Sequence, residues 1–158
     1  MHVPVRRGVV AALAFATVGV VAGACRSARG GVEYYPVPTA AGQAPLPFSS
    51  AVRVGELLFL AGQIGTDSTG QLVAGGIEAE TRQTLENVRA ALSRAGASMD
   101  DVVKCTAMLA DMGEWDRMNR VYVTYFRADR LPARSAFGAS GLARGARVEL
   151  ECWAVAPG

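Results

Sequence analysis

The closing segment of the chain constrains its fold most. From Arg147 to Val155 the side chains alternate: Val148, Leu150, Cys152 and Ala154 fall on one side, and Glu149, Glu151 and Trp153 on the other. A period of two marks a strand with one buried face, so something must cover the apolar side. Residues 77–95 supply a cover. Thr81, Leu85, Val88 and Leu92 recur there at helical spacing, Glu78 and Arg82 stand four apart on another face, and Gly96 ends the helix. A second helix is read over 115–126, with Trp115, Met118, Tyr122 and Tyr125 on one stripe and Pro132 stopping any continuation. Further strands are read at 51–54, 57–64, 102–109 and 134–140, the first two joined at Gly55-Glu56. Leu57-Leu58-Phe59-Leu60 is continuous rather than alternating, which predicts burial on both faces. The order strand, strand, helix, strand, helix, strand, strand predicts an α+β layer, a mixed sheet with two helices on one face. The other sheet face is left without cover from its own chain, so a homo-oligomer is expected.

Composition excludes several chemistries. The 158 residues fit one domain. Sixteen basic and 14 acidic side chains give a net charge of +2 with no block of one sign, so no nucleic-acid partner is expected. The one histidine is His2, which rules out a histidine-based triad in the domain. Cys25, Cys105 and Cys152 are too scattered for a zinc cluster, and no phosphate-binding loop or dinucleotide fingerprint occurs, so neither metal nor cofactor is expected. Cys105 and Cys152 fall on predicted strands and read as buried, reduced side chains, with a bridge as the alternative.

The first residues read as an address. Arg6 and Arg7 precede an uncharged apolar run over 8–21, followed by Ala22-Gly23-Ala24-Cys25. That arrangement predicts a signal peptide over 1–24. Two cleavage readings stand: an ordinary signal-peptidase site, or a lipobox-like site, with Ala22 where leucine is usual, in which Cys25 is lipidated and anchors the chain to a membrane. The expected location is therefore outside the cytoplasm, as a periplasmic or membrane-anchored lipoprotein or as a secreted protein. Residues 25–46, with Gly30-Gly31, Pro36, Pro38, Gly42 and Pro45, read as a tether, and 47–158 as the domain.

Several segments in order resemble the RidA (YjgF) family: Gly62-Gln63-Ile64, Gln83-Thr84-Leu85-Glu86-Asn87, Asp101-Val102-Val103-Lys104, Met118-Asn119-Arg120-Val121-Tyr122, Pro132-Ala133-Arg134-Ser135, and Val148-Glu149-Leu150-Glu151. The resemblance spans about residues 47–156. It implies a chorismate-mutase-like fold, a homotrimer with sites in clefts between subunits, and hydrolysis of small 2-imino or 2-enamino acids to 2-keto acids and ammonia. Two other functions are kept beside it: binding of small carboxylates at the cell envelope without turnover, and an endoribonuclease.

The resemblance also implies roles for single residues. Arg134 matches the arginine that grips the substrate carboxylate, a task suited to a planar guanidinium with paired donors. Glu149 matches the glutamate that directs water at the imine carbon. Gly62 matches a glycine whose backbone borders the site. Phe48 stands where a tyrosine often covers the substrate, keeping the apolar wall without the hydroxyl, and Asn119 matches a position near the site. The chain departs from the family pattern at Gly65 and Ala143, where prolines are usual, and at Ala136, where cysteine is.

Overall fold

The computed structural model describes residues 31–39 and 44–156. Cys25 and the address segment lie outside the described residues. The strands are β1 (Val32–Pro36), β2 (Ser49–Val54), β3 (Leu57–Leu60), β4 (Gln63–Ile64), β5 (Val102–Leu109), β6 (Ala133–Gly138) and β7 (Val148–Val155). The helices are α1 (Gly76–Arg94) and α2 (Trp115–Tyr122), the latter continued by a short 3-10 turn at Val123–Tyr125.

One sheet runs in the order β1-β2-β3-β7-β5-β6, with β4 also paired to β7. All pairs are antiparallel except β5 and β6, which are parallel because α2 lies in the crossover between them. Both helices pack on the same face. The α1 stripe Thr81, Leu85, Val88 and Leu92 is fully buried, and it meets Val148, Leu150, Cys152 and Ala154 of β7 in one core. The C-terminus of α1 closes as a Schellman motif. Gly96, at φ +73°, donates to the Ser93 carbonyl at 3.1 Å, and Ala97 donates to that of Leu92 at 2.9 Å. Arg53 reaches under the sheet and donates to the Ala95 carbonyl at 2.5 Å, satisfying another carbonyl at that helix end.

The mixed sheet with two helices on one face agrees with the expectation, and four details differ. Val32–Pro36, placed in the tether, is an edge strand paired antiparallel with β2, with a register shift between Tyr35 and Pro36; Pro36 ends that strand at the sheet margin, where a missing N–H costs no ladder bond. Leu57–Leu60 is not covered on both sides: Leu58 and Leu60 are buried, while Leu57 is exposed and Phe59 only partly covered. Glu78 does not pair with Arg82. It turns to α2 and meets Arg117 at 3.3 Å and Arg120 at 3.4 Å. Cys105 and Cys152, read as reduced, stand directly opposite on β5 and β7 and form a disulfide.

The second sheet face carries Val54, Leu57, Trp153, Val155 and Phe137, each about half exposed. Phe59 and Trp153 pack edge to face there at 5.0 Å.

Candidate active site: two half-sites on opposite sheet faces

Glu149 follows Val148 and precedes Leu150, both fully buried under the helices, so the pleat turns its carboxylate to the uncovered face. Its strand is anchored from the other side. The buried carboxylate of Glu80 on α1 accepts the Arg147 backbone N–H at 2.6 Å, which fixes the entry to β7. The Arg147 guanidinium meets Glu114 at 3.0 Å. Gly62 then approaches closely: a Cβ there would lie 2.0 Å from Glu149 Oε1. Absence of a side chain at 62 is what leaves the carboxylate its place.

Leu46, Phe48, Gly62, Ile64, Arg144 and Glu149 line a cavity of about 500 Å³. Ile64 pairs with Glu149 across β4 and β7, so both side chains share the face. Asn87 staples this wall to α1, donating to the carbonyls of Ile64 at 2.8 Å and Thr66 at 2.9 Å. Gly65 explains one departure from the family pattern. A Cβ there would lie 2.7 Å from the Glu80 carbonyl oxygen, so a glycine lets α1 pack against the cavity wall. Among the described residues Glu149 has no hydrogen-bond or salt-bridge partner. Burial pushes its carboxyl above the ordinary glutamate value, and the nearby Glu151 carboxylate adds to the rise.

Arg134 lies elsewhere. It stands in register with Cys105, a fully buried residue of the helix-covered face, and aligned residues of parallel strands point the same way. Its guanidinium carbon sits 4.5 Å from the Tyr122 ring centre and 5.7 Å from that of Trp115, a cation–π cradle on α2. Asn119 occupies the same helical stripe. Its Oδ1 and the Tyr122 hydroxyl are buried without a partner. Burial raises the Tyr122 hydroxyl to about 12, against the opposing influence of Arg134, so it stays protonated near neutral pH. Within one chain, then, Gly62, Phe48 and Glu149 come together, Arg134 and Asn119 form a second group, and the two groups occupy opposite sheet faces. Leu46 and Arg144 were not singled out in the sequence, and Ile64 entered only within the Gly62-Gln63-Ile64 segment. For Arg144 the one local signal is the following Gly145, which reads as an ordinary turn.

The endoribonuclease L-PSP family profile matches residues 39–156. The chain belongs to the RidA/YjgF, or endoribonuclease L-PSP, family. It is 46% identical over 110 residues to the mouse (Mus musculus) 2-iminobutanoate/2-iminopropanoate deaminase, covering 69% of this chain and 81% of that protein. A Yersinia pestis protein of the conserved Rid family superposes with a TM-score of 0.71 at 35% identity, covering 79% of this chain and 99% of that one. E. coli TdcF, solved with bound serine, superposes at 0.68 with 29% identity, covering 78% and 98%.

These relatives correct the export reading. The family match begins at residue 39, and the deaminases and Rid proteins that carry it lend no support to a signal peptide, a lipoprotein or a periplasmic address. The functional reading rests on the matched domain, residues 39–156.

Proposed function

We propose that the protein hydrolyses small 2-imino and 2-enamino acids to 2-keto acids and ammonia, in clefts that take Glu149 from one copy of the chain and Arg134 from the next. The observation that carries this reading is the partnerless Glu149 carboxylate, raised in pKa beside Gly62 in a largely apolar cavity. A carboxylate so placed, with its proton affinity raised and no competing donor among the described residues, suits a general base. Relatives named as imine deaminases favour turnover over carboxylate binding alone and over ribonuclease activity. The serine bound to TdcF is a small amino acid, the class from which such imines derive.

In this reading Arg134 and Asn119 receive the substrate carboxylate. Glu149 takes a proton from water as the water oxygen bonds to the imine carbon, and passes that proton to the imine nitrogen. The resulting carbinolamine collapses: its hydroxyl gives its proton to Glu149, the C=O forms, the C–N bond breaks, and Glu149 returns that proton to the nitrogen, which leaves as ammonia. Atoms and charge balance without a cofactor. The opposite placement of Arg134 and Glu149 supports a site shared between copies, and the half-exposed apolar sheet face supports an assembly that covers it. A homotrimer of chorismate-mutase-like arrangement meets both needs.

The test is imine hydrolysis with the substrate made in place by an amino-acid oxidase and the remaining imine trapped with semicarbazide. Acceleration by the wild type, lost in both Arg134→Ala and Glu149→Gln, is expected. No acceleration for any side chain overturns the proposal.

A further inference from the structure

Arg144 is the one non-glycine residue at positive φ among the described residues, at φ 60° and ψ 13°, followed by Gly145 at φ 76°. A side chain in the left-handed region costs about 1 kcal/mol or more and persists only where the surroundings hold it. One contact that holds it is plain: Nη1 donates to the Gly70 carbonyl at 2.8 Å. This single bond uses one of five guanidinium donors. Arg89, Arg117 and Arg147 each have a carboxylate within 4 Å, and among the described residues Arg144 has none. Yet Arg144 lines the same cavity as Glu149. The cavity therefore carries a carboxylate committed to water, an apolar wall of Leu46, Phe48 and Ile64, and an exposed guanidinium with spare donors.

Resting on the deaminase reading, we propose that Arg144 determines specificity by favouring imino acids whose side chain ends in a second carboxylate. The substrate's first carboxylate is already assigned to Arg134, which leaves Arg144 free for another anion. Methylene groups between the two carboxylates fit against Phe48 and Ile64. The guanidinium is tethered by Gly70, so little of its side-chain freedom remains to be lost when it binds an anion. Its solvent exposure keeps the preference moderate, about ten-fold, as for a charge-assisted hydrogen bond partly open to water.

The experiment compares kcat/KM for imino acids generated from aspartate or glutamate with those from alanine or 2-aminobutyrate. It uses the full chain as wild type, Arg144→Gly and Arg144→Lys. Glycine adopts φ near +60° freely, so the first variant removes the cation without straining the turn. The ratio of dicarboxylic to monocarboxylic kcat/KM is expected to fall about ten-fold in Arg144→Gly, through KM, and to recover in part in Arg144→Lys. An unchanged ratio, or equal loss on both substrate classes, overturns the inference while the deaminase reading stands. Absence of turnover on every imino acid overturns both.

Discussion

The two half-sites are built in opposite ways. The guanidinium half is held by contact: Arg134 lies against the Tyr122 ring at 4.5 Å, on a helix packed into the core. The carboxylate half is defined by missing contacts, with no side chain on Gly62 and, among the described residues, no donor to Glu149. A cation whose task is to grip gains from a rigid cradle. A base whose task is to take a proton gains from the lack of competing donors, which would hold it ionised and weakly basic. The largest effects should follow from breaking the rigid half. Arg134→Lys is expected to lower kcat/KM about 100- to 1,000-fold, because an ammonium loses both the paired donors and the flat stacking surface. A near-wild-type rate in steady-state imine hydrolysis would remove Arg134 from the site.

Whether the halves meet between copies can be tested directly. Arg134→Ala and Glu149→Gln are each expected to be nearly inactive. Co-refolded in equal amounts, they should regain about a quarter of wild-type activity, since one cleft in four then pairs an intact Glu149 with an intact Arg134. A site formed within one chain regains nothing on mixing.

The open half should be more sensitive to volume than to charge. Gly62→Ala puts a methyl group 2.0 Å from the present position of Glu149 Oε1, so the carboxylate must move. A displacement of about 1 Å is expected to reduce kcat about 100-fold with the fold intact by circular dichroism. Unchanged kcat would mean that the position of Glu149 is not critical.

Much of this contrast was legible in the sequence. The alternation of β7 placed Glu149 opposite Val148 and Leu150, and the α1 stripe identified which face the helix covers. That Arg134 belongs to the other face was not legible, because it depends on the parallel register setting Arg134 beside Cys105. The same kind of information pairs Cys105 with Cys152, 47 residues apart in sequence. Val32–Pro36 was missed because its glycine- and proline-rich flanks resemble a tether, while its pairing partner β2 lies beyond them. Arg144 was missed because its φ and its bond to Gly70, 74 residues away, have no local sequence signature.

The disulfide lies in the core shared by both halves and should affect stability more than rate. Closing a loop of 47 residues stabilises by about 4 kcal/mol on loop entropy. The Cys105→Ala/Cys152→Ala double variant and the reduced wild type should therefore unfold at similar, lower denaturant concentrations than the oxidised protein. Equal midpoints for all three would show that the bridge contributes nothing to the folded chain.

The smallest expected effect isolates the electrostatics of the open half. The Glu149 carboxyl is raised first by burial and second by Glu151, which itself accepts a hydrogen bond from Trp153 Nε1 at 3.1 Å. As a base Glu149 must be ionised, so kcat/KM should rise with pH through a midpoint above the ordinary glutamate value. Glu151→Gln removes the neighbouring charge and keeps a hydrogen-bond acceptor for the indole. The acid limb should then move to lower pH without reaching the unperturbed value, because burial remains. Stability should respond in the opposite direction, falling where the rate rises. A raised carboxyl makes a contribution that is present below its unfolded pKa and lost as pH rises through the folded one, and the variant should lose less over that window. An acid limb that stays in place would mean that Glu149 is not the group titrating in the rate, and that burial and repulsion on this face act on a bystander.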